Sequence, residues 1–490
     1  MHYPIIFRLL SAITIVLAVA FGVCLVVALY FGDGFTLAVK GFGICGLGAA
    51  ALSGLFFFFG RDARMRLFRK EALCIIGLGW VIASILGAMP YWTIHPECSF
   101  VDALFESVSG FTTTGATVFS NYEHEFPPSL LFWRAMSQWI GGLGVIVLFV
   151  ALVSNVGSGA KVLFSNESSG QSTDIEDGTI KQGAKRIMKY YIGISIAACV
   201  CYYLAGLSWF DAICHAATTV STGGFSTINA GVPGFENPML EWFMILFMFL
   251  GGFSFLLALR ILKVGWKAAK VALEGVVYTL LFIGVSLILA VINYITLHQH
   301  EIGELLRDAC FQVITIMTTT GYATEDFNQW SVPAKWILLG LMLIGGCSSS
   351  TAGGIKVIRL VAAFRMASQS IEKTFRVNVV RPLRLNGKVF GESARESLAS
   401  FLILTALVLM IGVVGFSILQ PSCDIETGIS AVFSCLFNIG PGLGQVGPME
   451  NFGFLHDATK IGLAILMLLG RLELYALLVL FSPSLWRKFS

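Results

Sequence analysis

Arg307–Thr324 reads RDACFQVITIMTTTGYAT: an acidic residue, a semi-apolar stretch of about ten residues, then a threonine run closing on glycine. The stretch is too short to cross a hydrocarbon layer of about 30 Å, which takes about 20 helical residues. The sequence on either side of it is long and apolar enough to do so. The pattern occurs three more times, as VDALFESVSGFTTTGAT (Val101–Thr117), FDAICHAATTVSTGGFS (Phe210–Ser226) and IETGISAVFSCLFNIGPG (Ile425–Gly442). Asp102 precedes Gly115 by 13 residues, Asp211 precedes Gly223 by 12, Asp308 precedes Gly321 by 13 and Glu426 precedes Gly440 by 14. A glycine pair or its relic follows in the next apolar run each time: Gly141-Gly142, Gly251-Gly252, Gly345-Gly346 and Gly470-Arg471. The cluster glycines lie 108, 98 and 119 residues apart, so the chain repeats a unit of helix, short helix, glycine strand, helix.

Working outward, ten apolar runs are of spanning length: Ile5–Tyr30, Phe35–Phe59, Ala72–Trp92, Leu130–Val153, Tyr190–Leu207, Met239–Ile261, Val276–Leu297, Trp336–Phe364, Leu398–Leu419 and Ile461–Phe481. The first is too long for a removed signal peptide and lacks a small-residue cleavage site. The expected fold is an all-α membrane protein of ten transmembrane helices with four re-entrant pore helices. Its four pseudo-symmetric helix–pore loop–helix repeats surround one ion pathway. Residues 1–60 hold two extra helices, and the repeats occupy 61–160, 161–270, 271–366 and 367–490.

Composition agrees. Of 490 residues 56% are hydrophobic and 12% charged, against about 25% charged in soluble domains. A soluble enzyme, a nucleic-acid binder and a disordered chain are excluded as whole-chain readings. The 11 cysteines show no CxxC pair and no Cys/His spacing of a zinc site. Cys98 and Cys423 both fall on one expected face, as a pair or as two unrelated thiols.

The net charge of +3 is unevenly spread. Arg61, Arg64, Arg66, Arg69 and Lys70 follow the second run; Lys161, Lys181, Lys185, Arg186 and Lys189 follow the fourth. Arg260, Lys263, Lys267 and Lys270, then Lys356, Arg359, Arg365, Lys373, Arg376, Arg381 and Arg384, follow the sixth and eighth. These segments, and both termini with them, are expected in the cytoplasm. The opposite connections are acidic: 91–127, 207–240 and 421–459 contain no Lys or Arg. Such a face concentrates cations over an entrance.

Extended backbone at membrane depth is tolerated where it is buried in protein or lines a wet path. Four glycine strands around one axis would line such a path with carbonyl oxygens, which can replace the hydration shell of a weakly hydrated cation. Each short helix would point its negative C-terminal end at that axis. An anion path would want the reverse.

The fourfold cluster, with TTTGAT and TTTGYAT in the first and third units, resembles the pore loops of the Trk/Ktr/HKT superfamily of potassium transport proteins, and the two leading helices resemble its TrkH/TrkG branch. The resemblance implies that K+ is the transported ion and that the filter is formed by Thr113, Thr114 and Gly115; Ser221, Thr222 and Gly223; Thr319, Thr320 and Gly321; and Asn438, Ile439 and Gly440. Glycine at all four filter positions goes with potassium preference in the family. The fourth unit departs from the Thr-rich pattern, which implies a short, less symmetric filter. The resemblance also implies a location in the bacterial inner membrane, a homodimer, and a cytosolic nucleotide-binding regulatory subunit, a TrkA-like ring.

After the third cluster comes Gly345-Gly346-Cys347-Ser348-Ser349-Ser350-Thr351-Ala352-Gly353-Gly354. Four glycines and four hydroxyls in ten residues make a poor lipid-facing helix. A break in the span beneath the filter is expected, its polar groups facing the pore, and the resemblance implies a gating loop. A continuous helix with back-bonded hydroxyls, or a packing seam, is the alternative. Arg471 lies ten residues into the last run, where an ionisable group normally faces a bundle interior or a wet path. The resemblance sets it below the filter as a barrier charge; a structural Arg471–Glu473 or Arg–carbonyl pair is the alternative. Trp133, Trp139, Trp209, Trp242 and Trp330 suit interface anchors.

Gly440–Gly444 superficially matches a dinucleotide loop, but no strand precedes it, and no P-loop run exists. The histidines, His95, His124, His215, His298, His300 and His456 among them, fall mostly in the acidic connections. An intramembrane hydrolase using Ser348, Ser349 or Ser350 would need a His or Lys within reach, and the runs lack histidine. An alternating-access symporter, coupled to H+ or Na+, is the competing transport reading. Its repeats invert, whereas these four all keep the cluster on the acidic side.

Overall fold

The computed structural model describes residues 1–32, 37–63, 68–155, 180–265, 272–297, 301–376, 382–385 and 388–486. Arg64, Arg66, Lys161, Lys267, Lys270, His298, His300 and Arg381 lie outside them.

An apolar run at membrane depth becomes a helix because only a helix satisfies every backbone group within the segment. Six described helices are long and apolar enough to cross: Tyr3–Tyr30, Leu37–Gly60, Lys70–Ile94, Lys185–Leu204, Leu273–Thr296 and Glu392–Leu419. Two bent pairs, Pro238–Gly252 with Phe255–Val264 and Asp457–Arg471 with Tyr475–Phe481, raise the number to eight. Pro128–Asn155 is helical as well. The chain is a helical membrane protein.

The bends correct two runs read as straight. Met239–Ile261 turns by 98° after Gly251-Gly252, where the Ser254 hydroxyl accepts from the Leu257 N–H at 3.4 Å and starts a new helix. Ile461–Phe481 turns by 113° because Glu473 and Leu474 take φ of +51° and +66°, which a right-handed helix cannot contain. The break expected near Gly354 is present, with helix Val332–Met342 before it and Val357–Phe375 after.

Four short helices precede the glycine clusters: Phe100–Phe111, Trp209–Val220, Ile302–Met317 and Ile425–Phe437. In the first two, Ser99 and Ser208 cap the N-terminus and accept from Asp102 N and Asp211 N at 3.1 Å. Hydroxyl-to-carboxylate bonds of 2.8 and 2.6 Å close each cap. The acidic marker is placed differently in the others. Asp308 lies nearly two turns inside its longer helix, and Asp424, not Glu426, is the cap of the last, accepting from Thr427 N at 3.3 Å.

The leading helices pack on each other through Ser11 and Ser53, 3.2 Å apart, and on the first unit through Phe21 against Trp133, centroids 4.7 Å apart. Trp133 and Trp330 are therefore core residues, 0% and 4% exposed, rather than interface anchors; Trp209 and Trp242 are exposed. Burial also overtakes one of the histidines, since His215 is fully enclosed. Cys98 and Cys423 are both free thiols.

Candidate functional site

Each short helix ends in one left-handed residue: Thr113, Thr222, Thr319 and Asn438, at φ of 54°, 54°, 55° and 59°. Two residues on, Gly115, Gly224, Gly321 and Gly440 also have positive φ, at 83°, 78°, 87° and 106°. The four equivalent triplets are therefore Thr113-Thr114-Gly115, Thr222-Gly223-Gly224, Thr319-Thr320-Gly321 and Asn438-Ile439-Gly440. This moves the second unit one residue from the expected Ser221-Thr222-Gly223. Ser221 is instead the right-handed helix end, equivalent to Thr112 and Thr318. The doubled glycine hid the shift, because either glycine satisfies a search for one.

The triplets close a ring. A Cβ on Gly115 would collide with the Gly223 carbonyl oxygen, one on Gly224 with that of Thr320, and one on Gly321 with that of Ile439; one on Gly440 would crowd that of Thr114. Each contact runs from one unit to the next, and the fourth returns to the first. Only glycine permits both the backbone angle and this approach. On the acidic side the ring opens into a cavity of about 210 Å³, lined by Gly115, Gly224, Gly321 and Gly440 together with Tyr122 and Arg134.

Hydroxyl and amide contacts hold the triplets. Thr112 Oγ1 meets Thr114 Oγ1, and Thr318 Oγ1 meets Thr320 Oγ1, both at 2.7 Å. Asn438 Nδ2 donates to Thr114 Oγ1 at 3.0 Å and to the Met467 carbonyl at 2.9 Å. About two turns back from the left-handed residue on each short helix, a different side chain braces the strand that returns from the ring. Glu106 accepts from Val118 N at 3.2 Å; His215 Nε2 meets Ser226 Oγ at 3.2 Å. The Gln312 amide, oriented by its partners, accepts from Thr324 N at 3.1 Å, and Ser430 Oγ accepts from Leu443 N at 2.8 Å.

Glu106 is also half of a buried ion pair with Arg134, Nη2 to Oε1 2.9 Å. The Arg134 guanidinium lies between Tyr122 and Phe225, 4.1 and 4.2 Å from their ring centroids, and donates to the Ser226 carbonyl at 3.1 Å. It ties the first unit to the second. Sequence reasoning missed it, though an arginine within an apolar run was the signal that singled out Arg471.

The glycine pairs let the following helices approach. A Cβ at Gly141 would strike the Phe111 carbonyl, and one at Gly470 that of Leu436; at Gly251 it would lie 3.2 Å from that of Val220. These carbonyls occupy the same position, two residues before the left-handed one. In the third unit Gly345 meets Gly353 instead, because the segment 343–356 folds back there.

That segment lies against the ends of the short helices. Thr351 Oγ1 donates to the Val220 and Gly251 carbonyls at 3.0 and 3.1 Å, and Gly353 N–H donates to Thr319 Oγ1 at 2.7 Å. Cys347 N–H donates to the Gly252 carbonyl at 2.8 Å, and Gly345 N–H to that of Ile355 at 2.9 Å. Ser349 is left-handed at φ 60°, Ser350 Oγ turns back to Cys347, and Ala352 and Gly346 pack together. Gly354 is left-handed too. The hydroxyls of Ser350 and Thr351 are thus spent on protein carbonyls rather than presented to open space. Two anchors were not foreseen: Glu274 accepts from Ser348 N–H at 2.6 Å, and Lys356 Nζ donates to the Ala352 carbonyl.

Arg471 donates to the Thr351 carbonyl at 2.7 Å and to that of Gly141 at 3.1 Å. It does not pair with Glu473, which binds Arg359 at 2.5 Å. A buried cation thus stands beside the loop, bound to carbonyls.

A family model described as TrkH, cation transport protein, matches residues 51–488. The chain is 33% identical over 499 residues to the Trk system potassium uptake protein TrkH of Salmonella typhimurium, covering 100% of both. It is 31% identical over 437 residues to the Trk system potassium uptake protein TrkG of Escherichia coli K12, 87% of each. The crystal structure of the potassium transporter TrkH from Vibrio parahaemolyticus matches with a TM-score of 0.90 at 29% identity, over 99% of this chain and 100% of that one. With the matched region running through all four glycine clusters, this chain belongs to the TrkH family of cation transport proteins.

Proposed function

We propose that the chain carries K+ across the bacterial inner membrane, passing the ion through the carbonyl ring at Gly115, Gly224, Gly321 and Gly440. The observation that carries this is the closure of four backbone segments, one from each unit, around one centre. Carbonyl oxygens at such a ring replace water around a dehydrated cation, and the four short helices direct their negative ends toward it. On this reading the chain is a transport pathway and not an enzyme. The three broken or bent second helices each count as one span, which makes ten spans with four re-entrant short helices and both termini in the cytoplasm.

Segment 343–356 is the gate in this proposal, with Arg471 as the charge that opposes cations beneath the ring. Its bonds to the ends of the second and third short helices and to Arg471 support that role, since the loop must move for an ion to pass. The names of these relatives support potassium as the ion. A homodimer and a cytosolic nucleotide-binding ring are the partners the family resemblance implies.

The test is rubidium and sodium uptake into liposomes holding the purified protein, with and without an imposed pH gradient. Uptake down the ion gradient alone is expected, and dependence on the pH gradient would favour proton symport instead. Gly115→Ser is expected to lower the preference for rubidium over sodium; an unchanged preference would remove the ring from the pathway.

A further inference from the structure

The second unit is the only one whose ring triplet holds two glycines, Thr222-Gly223-Gly224. In the first and third units a threonine precedes the glycine and bonds to the hydroxyl two residues back, and in the fourth the Asn438 amide does the bracing. Gly223 has no side chain to brace with, and paired glycines lose the most conformational freedom on ordering. Left alone, this quarter of the ring would be its loosest.

The missing brace is supplied from another unit. Gln138, on helix Pro128–Asn155 of the first unit, is fully buried. Its Nε2 donates to the Gly223 carbonyl at 2.7 Å and its Oε1 accepts from the Phe225 N–H at 3.1 Å. One amide therefore grips both sides of Gly224. The fit leaves no room for a side chain, since a Cβ on Gly223 would run into the Gln138 amide carbon. Gly223 O is also the ring oxygen that Gly115 approaches. A carbonyl has two lone pairs; Gln138 engages one and so directs the other.

We propose that Gln138 is a specificity-determining positioning residue of the ring: by holding the Gly223 carbonyl in place it sets the ring's width for a K+-sized ion. The proposal rests on the carbonyl-ring reading above. Gln138 does not reach the ion; it acts through Gly223. Its clamp makes the ring chemically uneven, with one oxygen already accepting an N–H and three not so engaged by Gln138.

The test is Gln138→Met, which keeps the length of the side chain and removes both hydrogen bonds, with Gln138→Ala as a second variant. Each is purified, checked for a monodisperse fold, and assayed in liposomes for rubidium and sodium uptake beside Gly115→Ser. A neutral hydrogen bond's worth of positioning corresponds to a loss of about fivefold in the rubidium-to-sodium ratio. The readout is the ratio, because a merely structural role would lower uptake of both ions together. If a folded Gln138 variant keeps the parent's ratio while Gly115→Ser loses it, the clamp is overturned and the ring stands. If neither substitution moves the ratio, the ring and the clamp fall together.

Discussion

The guanidinium of Arg471 and the carbonyl of Thr351 are 2.7 Å apart, a charge-assisted bond that joins the last unit to the broken segment of the third. Among the described residues no carboxylate pairs with Arg471: Glu473, two residues on, takes left-handed backbone and is bound to Arg359. A cation held by carbonyls alone keeps its field in the surrounding space, and it fixes the loop at the same time.

Arg471→Met is therefore expected to free the loop and remove the opposing charge together. A hydrogen bond from a charged donor contributes about 1.5–3 kcal/mol, so passive rubidium uptake in liposomes should rise by roughly tenfold or more. Unchanged uptake from folded protein would detach Arg471 from the gate.

Glu274 is the loop's other anchor. Glu274→Ala strands the buried Ser348 N–H, at a cost of about 1–3 kcal/mol, whereas Glu274→Gln keeps an acceptor. We expect the alanine variant to transport faster and melt lower than the glutamine variant. Identical uptake and melting for the two would show that the 2.6 Å contact does not hold the segment.

Arg134 and Glu106 form a pair whose members are 1% and 0% exposed. Removing one partner of such a pair leaves a buried charge and costs about 3–5 kcal/mol. Arg134→Met or Glu106→Gln alone should lower the thermal midpoint in detergent sharply, and the double variant should recover part of the loss. Additive losses in the double-mutant cycle would contradict direct pairing.

Asp308 lies near the acidic mouth, on a short helix that does not itself span. Burial first, then the neighbouring Glu325 carboxylate, pushes its carboxyl up to about 7, with Arg307 opposing and Glu241 adding to the rise. The native state therefore holds this proton where the unfolded chain, at about 3.9, has lost it. Stability from this group is present below about pH 4 and is lost as pH rises toward 7. Asp308→Asn should lose less stability than the parent over that window and melt above it at alkaline pH. Parallel melting curves for the two proteins across the window would refute the assignment.

Much of this architecture was legible because its signals are periodic or compositional. Long apolar runs must be helical in lipid, and four acid-to-glycine spacings agreed closely enough to reveal the units. The register of the second triplet was not legible, since Gly223 and Gly224 look alike until backbone angles separate them. The bend after Gly251-Gly252 was likewise hidden, because its residues remain apolar through the break. Arg134, Gln138 and Glu274 sit among apolar neighbours with nothing in the sequence to name their partners, of which Glu106, Phe225 and Ser348 lie 28, 87 and 74 residues away.

Taken alone, the amino-acid order determined a membrane protein with one pattern repeated four times, a short apolar stretch followed by a glycine cluster. That follows from local physics, since the length of an apolar run and the backbone freedom of glycine are properties of adjacent residues. Tertiary structure decided which carbonyl faces which glycine, that Arg471 holds Thr351 rather than Glu473, and that Gln138 braces a neighbouring unit. These depend on distances between residues far apart in the chain, and those distances exist only once the units have closed on one another.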